Sequence, residues 1–145
     1  MVNRTNRTIS QAAREAGVGV ETVRFYERKG LIAQPRKPQG GGYRIYSRAV
    51  VERIRFVRKA QQLGFSLREI DTLLALRADP NAACEDVRRQ AAAKLEQVEE
   101  KMAELGKIRS ALKALISNCP RKGPAAGRCT ILEVLGVGGK EDAVE

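Results

Sequence analysis

The chain has 145 residues and a formal net charge of +10, from 27 Lys and Arg against 17 Asp and Glu. It has no His, no Trp and three cysteines, an odd number that excludes a complete set of disulfides within the chain. The missing His, with no nucleophile–base pair or phosphate-binding Gly-rich motif, argues against an enzyme. The scarcity of aromatic side chains argues against a base-stacking platform for single strands.

The positive charge is concentrated in the first part of the chain. Residues 1–80 hold 16 basic and 7 acidic side chains, whereas residues 81–145 hold 11 and 10. This distribution predicts a nucleic-acid-binding module joined to a segment with another task. No stretch approaches the roughly 18 apolar residues of a membrane span, and the start lacks the apolar core of a signal peptide. We therefore expect a cytoplasmic protein without a membrane partner, in which thiols stay reduced.

Two short helices with a tight turn between them are predicted near the start. Ser10 is the expected cap of "QAAREAG", which Gly17 ends, and the link "GVGV" leads into "ETVRFYERKG", which Gly30 ends. Two short helices joined through a Gly-containing turn predict a helix-turn-helix, a DNA-binding unit whose second helix enters the major groove.

The second of these helices supplies candidate DNA contacts. Thr22 and Arg24 are placed to reach base edges, and Tyr26 to hydrogen-bond a phosphate. Arg28 is a further candidate on the same helix. The apolar positions nearby are assigned to the core: Val23, Phe25 and Leu31.

A small β-wing is predicted from "QPRKPQGGGYRIYS". Pro35 and Pro38 stop a helix, the three glycines allow a sharp reversal, and "YRIY" alternates like a strand. Tyr43 and Arg44 on this wing are candidate DNA contacts, and Arg44 is placed to meet a phosphate or the minor groove.

Two longer helices follow the wing. Ser47 caps "RAVVERIRFVRKAQQLG", which Gly64 ends, and a capping box of Ser66 with Glu69 opens "LREIDTLLAL". The segment "RADPNAA" then breaks the helical pattern, because Pro80 is a stop signal.

A single long helix is predicted from about Cys84 to Ser117. Its apolar residues recur mostly at alternating steps of four and three, as in a coiled-coil seam. Such a stripe needs a partner helix, most simply from a second copy of the chain. The predicted dimer-interface positions are Val87, Ala91, Leu95, Val98, Met102, Leu105, Ile108, Leu112 and Ile116.

Three stretches together resemble the MerR family of bacterial transcription regulators. They are "VETVRFYERKGLI", "GYRIY" and "IRFVRKAQQLGFSLREIDTLL", and the likeness covers residues 8–76 almost continuously. With the helix pattern, it predicts a mainly α protein. A winged helix-turn-helix would occupy 1–80 and an antiparallel coiled-coil dimerisation helix 81–118. A metal-binding loop and short helix would occupy 119–135, and a disordered tail 136–145.

The resemblance also implies a mode of action. Members of the family bind, as homodimers, a two-fold symmetric operator inside a promoter whose elements are too widely spaced. An effector leads the dimer to bend and untwist this double-stranded DNA so that RNA polymerase can start. Carried over to this chain, Arg24, Tyr26 and Arg44 would contact DNA.

The three thiols cannot meet within one chain, because Cys84 and Cys119 flank a helix about 50 Å long. An antiparallel pair of these helices would place Cys84 of one copy beside Cys119 of the other, and Cys129 could fold back to join them through a Pro- and Gly-containing loop. The register is chosen to suit the cysteines, yet it also brings apolar residues together in four pairs. The pairs are Val87 with Ile116, Ala91 with Leu112, Leu95 with Ile108, and Val98 with Leu105.

Three thiolates without a nitrogen ligand favour a soft ion that accepts trigonal coordination. Mercury(II) fits this chemistry best, and the stretch "CEDVRRQAAAKLEQVEEKMAEL" resembles the mercury-responsive branch of the family. That resemblance implies a regulator of heavy-metal resistance. Its effector ion would be bound by Cys119 and Cys129 of one subunit together with Cys84 of the opposite subunit. The loop "PRKGPAAGR" is slightly longer than is usual in that branch, so selectivity can differ.

Two other sensors remain open from the residues. One responds to another thiophilic ion, such as lead, arsenic, antimony, cadmium or zinc. The other is a metal-free thiol redox sensor that uses a Cys119–Cys129 disulfide.

Overall fold

The computed structural model of the protein describes residues 6–123, 129 and 131–136. It confirms the mainly α architecture. The helices are α1 (Ile9–Ala16), α2 (Val20–Arg28), α3 (Arg48–Gln62), α4 (Leu67–Ala78) and α5 (Cys84–Asn118), and residues 131–136 are also helical.

The chain divides into two compact units, Met1–Lys94 and Leu95–Glu145. The first unit therefore contains α1 to α4 together with the first turns of α5. We call residues 6–83 of this unit the head. The domain limit predicted after residue 80 stays a prediction, and the predicted tail 136–145 lies almost wholly outside the described residues.

Side-chain caps fix where the helices of the head begin. Ser47 and the Ser66–Glu69 capping box act as predicted, at the starts of α3 and α4. The prediction for α1 was wrong, because Thr8 caps this helix and Ser10 lies inside it. Thr8 has extended backbone angles and makes a capping box with Gln11, so the backbone N–H groups of Thr8 and Gln11 are both satisfied without the side chain of Ser10.

The core of the head is small and apolar. The four helices bury one face each, with α1 packed on α2 and α3, and α3 packed on α4. The loop after α2 adds two more buried residues, Leu31 and Ile32. The most deeply buried residues of the helices are Ala12, Val23, Tyr26, Ile54, Val57 and Ile70.

The predicted strand of the wing is absent from the described residues, and this part of the prediction was wrong. The alternation of "YRIY" instead separates Tyr46, which is buried, from Tyr43 and Ile45, which are exposed. Tyr46 makes an isolated antiparallel bridge with Arg7, and its N–H donates to the Arg7 carbonyl at 2.8 Å. A single bridge to the start of the chain is enough to hold the end of the wing segment, which needs no hairpin partner.

The helix α5 runs unbroken over 35 residues and buries none of them within one chain. Its apolar stripe is exposed, from 39 % at Val98 to 65 % at Met102. Water contact on this scale is unfavourable for large apolar side chains, which indicates that another helix covers the stripe. No helix in the described part of the chain combines the length and the apolar character needed to cross a membrane.

One carboxylate at the start of α4 gives the head a pH-dependent stability. Hydrogen bonds from Lys94 and Ser66 lower the pKa of Glu69 from 4.5 to about 2. Because the folded-state pKa is the lower one, the stabilisation is present above about pH 4.5 and is lost as the pH falls towards 2. We expect Glu69→Gln to unfold at a lower urea concentration than the wild type at pH 7. The difference between the two unfolding midpoints should shrink as the pH is lowered. A gap of constant size from pH 7 to pH 2.5 would contradict this assignment.

Candidate nucleic-acid interface and metal-binding cysteines

A basic cleft of about 550 Å³ lies between α2 and the wing segment, residues 33–46. Four cationic side chains line it, and Glu27 is its one acidic residue. The structure thus brings together four of the six predicted DNA-binding residues, two from α2 and two from the wing. The lining residues are Ile9, Arg24, Glu27, Arg28, Gln34, Lys37, Gly42, Tyr43, Arg44 and Tyr46.

Local contacts orient the basic side chains of the cleft. Arg24 donates to Glu21 at 2.9 Å, and both side chains stay exposed. Arg44 donates through Nε to the Pro35 carbonyl at 2.9 Å, so that the two ends of the wing segment are held together. Tyr43 is 81 % exposed at the rim of the cleft. A cationic cleft with an exposed aromatic rim suits a phosphate backbone.

The acidic residue of the cleft is held by a tyrosine. Tyr46 donates its hydroxyl to the Glu27 carboxylate at 3.2 Å, and burial together with Glu27 raises the pKa of Tyr46 to about 12. This phenol therefore stays protonated and joins the wing to α2. Sequence reasoning missed Glu27, Gln34 and Lys37, although the basic run around Lys37, between two prolines, is the kind of signal that marks a phosphate-binding loop.

Two of the predicted DNA-binding residues occupy other places. Thr22 is half-buried and does not line the cleft. Tyr26 is fully buried and donates its hydroxyl to Gln61 on α3, so the geometry contradicts a phosphate contact by this tyrosine. Its neighbour Phe25, which was assigned to the core, is only half-buried. The hydroxyl of Tyr26 is satisfied inside the head, which allows this large side chain to act as a core residue.

Arg28 lies at the end of α2, is exposed and lines the cleft. If it meets a phosphate, Arg28→Met should weaken DNA binding by similar factors on different sequences. The slope of log affinity against log salt should fall by about one per subunit, because each phosphate contact releases one counterion. Tyr26→Phe is the matched control, since it should leave DNA affinity unchanged while losing about 1 kcal/mol of stability. Fluorescence anisotropy at several salt concentrations separates the two, and an unchanged salt slope in Arg28→Met would place this residue outside the interface.

Two of the thiols flank α5. Cys84 is the first residue of the helix and is exposed. The carboxylate of Asp86 accepts from the Ala83 N–H at 3.0 Å, which fixes the helix start at this cysteine. Cys119 follows the last residue of the helix and is half-buried. A free thiol thus stands at each end of α5.

A tight turn reverses the chain directly after Cys119. The N–H of Lys122 donates to the Pro120 carbonyl at 2.8 Å, and Arg121 between them has a φ of 66°. Residues 124–128 and 130 of the predicted metal-binding loop lie outside the described residues. Cys129 is half-buried, and its carbonyl accepts the Glu133 N–H at 3.1 Å, at the start of helix 131–136.

No group of three or more potential metal ligands converges among the residues that the structure describes in one chain. The sulfur ligand set and the DNA contacts stay predictions at this point.

Two family models match the chain. "MerR HTH family regulatory protein" matches residues 7–76, and "MerR, DNA binding" matches residues 51–115. The mercuric resistance operon regulatory protein of Shigella flexneri is 48 % identical over 122 residues, which cover 83 % of each chain. The chain belongs to the MerR family.

Solved structures of MerR-family proteins have the same fold. The transcription regulator PbrR691 from Ralstonia metallidurans CH34, in complex with lead(II), matches with a TM-score of 0.77 and 32 % identity. MerR from Bacillus megaterium MB1, in complex with mercury(II), matches with a TM-score of 0.68 and 35 % identity. Each match covers 89 % of this chain and 98 % of the other.

Proposed function

We propose that this MerR-family protein is a homodimeric transcription regulator of mercury resistance, with mercury(II) as its effector ion. The observation that carries the proposal is the placement of three thiols, at the two ends of α5 and in the following loop, in a chain without His. Relatives that are 48 % identical over most of the chain are mercuric resistance operon regulators. Promoter DNA and RNA polymerase are the partners that this activity requires.

The donor set suits the ion. Thiolate sulfur is a soft ligand and binds soft metals in preference to hard ones. Zinc structural sites use four nitrogen or sulfur ligands, whereas this chain offers three sulfurs and no imidazole. The proposed site takes Cys84 from one subunit and Cys119 with Cys129 from its partner. The symmetry of a dimer gives two such sites.

The exposed stripe of α5 supports the dimer on which the site depends. In the antiparallel register eight apolar residues of the stripe face one another in four pairs, and both ends of the helix then carry a Cys84–Cys119 pair. Burying the stripe is strongly favourable because its large side chains are 39–65 % exposed in one chain. Packing and metal binding would therefore select one and the same register.

Activation requires that mercury(II) bind two conformations of the dimer with different affinities. An ion that binds both states of the dimer equally shifts neither. We infer that the three sulfurs fit mercury(II) better when the two heads are turned into the orientation that bends and untwists the promoter. The basic clefts on the two heads would hold the phosphates of the two half-sites while the DNA between them is distorted.

One comparison supplies a second candidate ion. A lead(II)-bound regulator and a mercury(II)-bound one both share the fold of this chain, with TM-scores of 0.77 and 0.68 at 32 % and 35 % identity. Lead(II) also accepts three sulfurs, so a lead-responsive regulator is the alternative within the same mechanism. The metal-free alternative is a Cys119–Cys129 disulfide switch.

Titration of the fully reduced dimer with mercury(II), lead(II) and arsenite, in competition with a small thiol, separates these candidates. We expect the tightest binding for mercury(II), at two ions per dimer, with a sulfur-to-metal charge-transfer band. Tighter binding of lead(II) would reassign the effector. If none of the three ions binds tightly, and the protein responds to an oxidant through Cys119 and Cys129 alone, it is a redox switch and not a metal sensor.

A further inference from the structure

One ion pair joins the first turns of α5 to the head. The ammonium of Lys94 lies 2.8 Å from Oε1 of Glu69, and the two side chains are only 12 % and 27 % exposed. The same ammonium lies 5.7 Å from the centre of the Phe65 ring. The aliphatic stem of Lys94 passes over Gly64, where a Cβ would come within 3.9 Å of it. The lysine is therefore packed onto the loop between α3 and α4 rather than extended into water.

The carboxylate of Glu69 also caps the start of α4. Oε1 of Glu69 also accepts the backbone N–H of Ser66 at 2.7 Å, which is half of the capping box at the start of α4. One oxygen atom thus receives a donor from α5 and a donor from the residue that caps α4. Any movement of Lys94 acts directly on the group that fixes the start of α4.

Further contacts lead from this point to α2. The loop before Ser66 is closed onto the end of α3 by Gly64, whose N–H donates to the Gln61 carbonyl at 2.9 Å. The side chain of Gln61 accepts the hydroxyl of Tyr26, inside the helix that lines the basic cleft. A continuous series of contacts therefore runs from Lys94 to the proposed DNA-binding surface, all within the first unit.

The place of Lys94 on α5 suits a coupling role. It follows Cys84 by ten residues, about 15 Å along a rigid helix. It also precedes Leu95 of the dimer seam. Because α5 buries no residue within one chain, the contacts of Lys94 with Glu69 and Phe65, rather than core packing, hold its first turns to the head. An ion pair has a preferred distance and direction, whereas an apolar contact does not. A small rotation or shift of the helix start would therefore strain this short, partly buried ion pair more than it would an apolar contact.

We propose that Lys94 is a positioning residue whose ion pair with Glu69 transmits the state of the metal site at Cys84 to the DNA-binding head. The proposal rests on the proposed function, because it assumes a metal-dependent change of DNA shape. It adds to that function a specific intrachain contact through which the ion acts. Other residues bind the metal and the DNA, so the affinities for both should be nearly independent of the Lys94–Glu69 ion pair.

The test uses the full-length dimer and a DNA duplex selected from a random library by the wild-type protein. Its bend is followed by energy transfer between dyes at the two ends, before and after mercury(II) chloride is added. Lys94→Met removes the charge and keeps the length of the side chain. Glu69→Gln removes the opposite charge while Gln still serves in a capping box. Lys94→Arg keeps the charge, and Lys107→Met is the control, because Lys107 is an exposed lysine of the same helix.

We expect Lys94→Met and Glu69→Gln each to reduce the mercury-dependent change in transfer at least fivefold, with the double variant no worse than either single one. Mercury affinity and apo DNA affinity should change less than threefold, and Lys94→Arg should restore most of the response. A full response in Lys94→Met or in Glu69→Gln would overturn the proposal. So would a loss of response in proportion to lost stability, or additive losses in the double variant. A wild-type dimer that binds no mercury, or bends DNA identically with and without it, would instead overturn the proposed function.

Discussion

Mixed dimers of Cys84→Ser and Cys119→Ser subunits are expected to bind one mercury(II) ion tightly, although neither variant does so as a homodimer. In the mixed dimer, the Cys119→Ser subunit supplies an intact Cys84. The Cys84→Ser subunit supplies intact Cys119 and Cys129. One of the two symmetric sites is then complete, and the other lacks two of its three sulfurs.

The expected effect is large. Loss of a group that only supports a metal ligand lowers affinity by about 10- to 100-fold, so loss of a sulfur ligand should cost more than about 100-fold. Each homodimer should therefore bind mercury(II) more than about 100-fold more weakly than the wild type. The mixed dimer should regain wild-type affinity at half the stoichiometry. Subunits carrying different affinity tags allow the mixed dimer to be purified before it is titrated against a competing thiol.

A second mixture is the matched control. Cys119→Ser mixed with Cys129→Ser leaves two sulfurs at each site, because the substituted residues belong to the same half of a site. This mixture should bind no better than its parents. If it recovers tight binding, or if Cys84→Ser alone binds like the wild type, the site is not shared between subunits.

Local signals explain why most of the head could be predicted. The capping box at Ser66 and Glu69 and the left-handed Gly17 depend on residues a few positions apart, and such short-range chemistry is present in the sequence. The error at α1 has the same origin. Thr8 and Ser10 both suit a cap, and only the extended backbone of Thr8 decides between them.

Contacts distant in sequence could not be predicted. Tyr26 and Phe25 are adjacent aromatic residues on α2. The i, i+3 step from the buried Val23 favours Tyr26 for the core, but the local sequence does not show a partner for its hydroxyl. Gln61, which lies 35 residues away, provides the hydrogen bond that a buried phenol needs. The ion pair of Lys94 with Glu69 is similar, since a lysine on a polar helix gives no sign of a partner on α4.

The metal site could be predicted in part. Each cysteine could be placed on its element from sequence, because the limits of α5 follow from the break before Cys84 and the Pro after Cys119. Their convergence depends on a second chain, whose register is set by the whole apolar stripe. The site is therefore as predictable as the pairing of α5 with its copy, which makes that pairing the most informative structural test.

Leu105→Glu is expected to separate the subunits. In the antiparallel register Leu105 faces Val98 near the centre of the interface, and it is 63 % exposed in one chain. Burying a leucine contributes about 1.5–3 kcal/mol, and the two-fold axis doubles the loss to about 3–6 kcal/mol. At 1.4 kcal/mol per tenfold change, the dissociation constant of the dimer should rise by a factor of about 10²–10⁴. Sedimentation velocity over a dilution series measures this directly.

The same substitution also tests whether the metal site needs the dimer. Leu105→Glu keeps all three cysteines, yet as a monomer it should lose tight mercury(II) binding, and high protein concentration should restore it. Ser110→Glu is the matched control, because Ser110 is exposed on the opposite face of the same helix and adds the same charge. It should remain dimeric and bind mercury(II) normally. A monomeric Leu105→Glu protein that still binds mercury(II) tightly would mean that one chain can gather the three sulfurs alone, and the antiparallel register would then have no role in sensing.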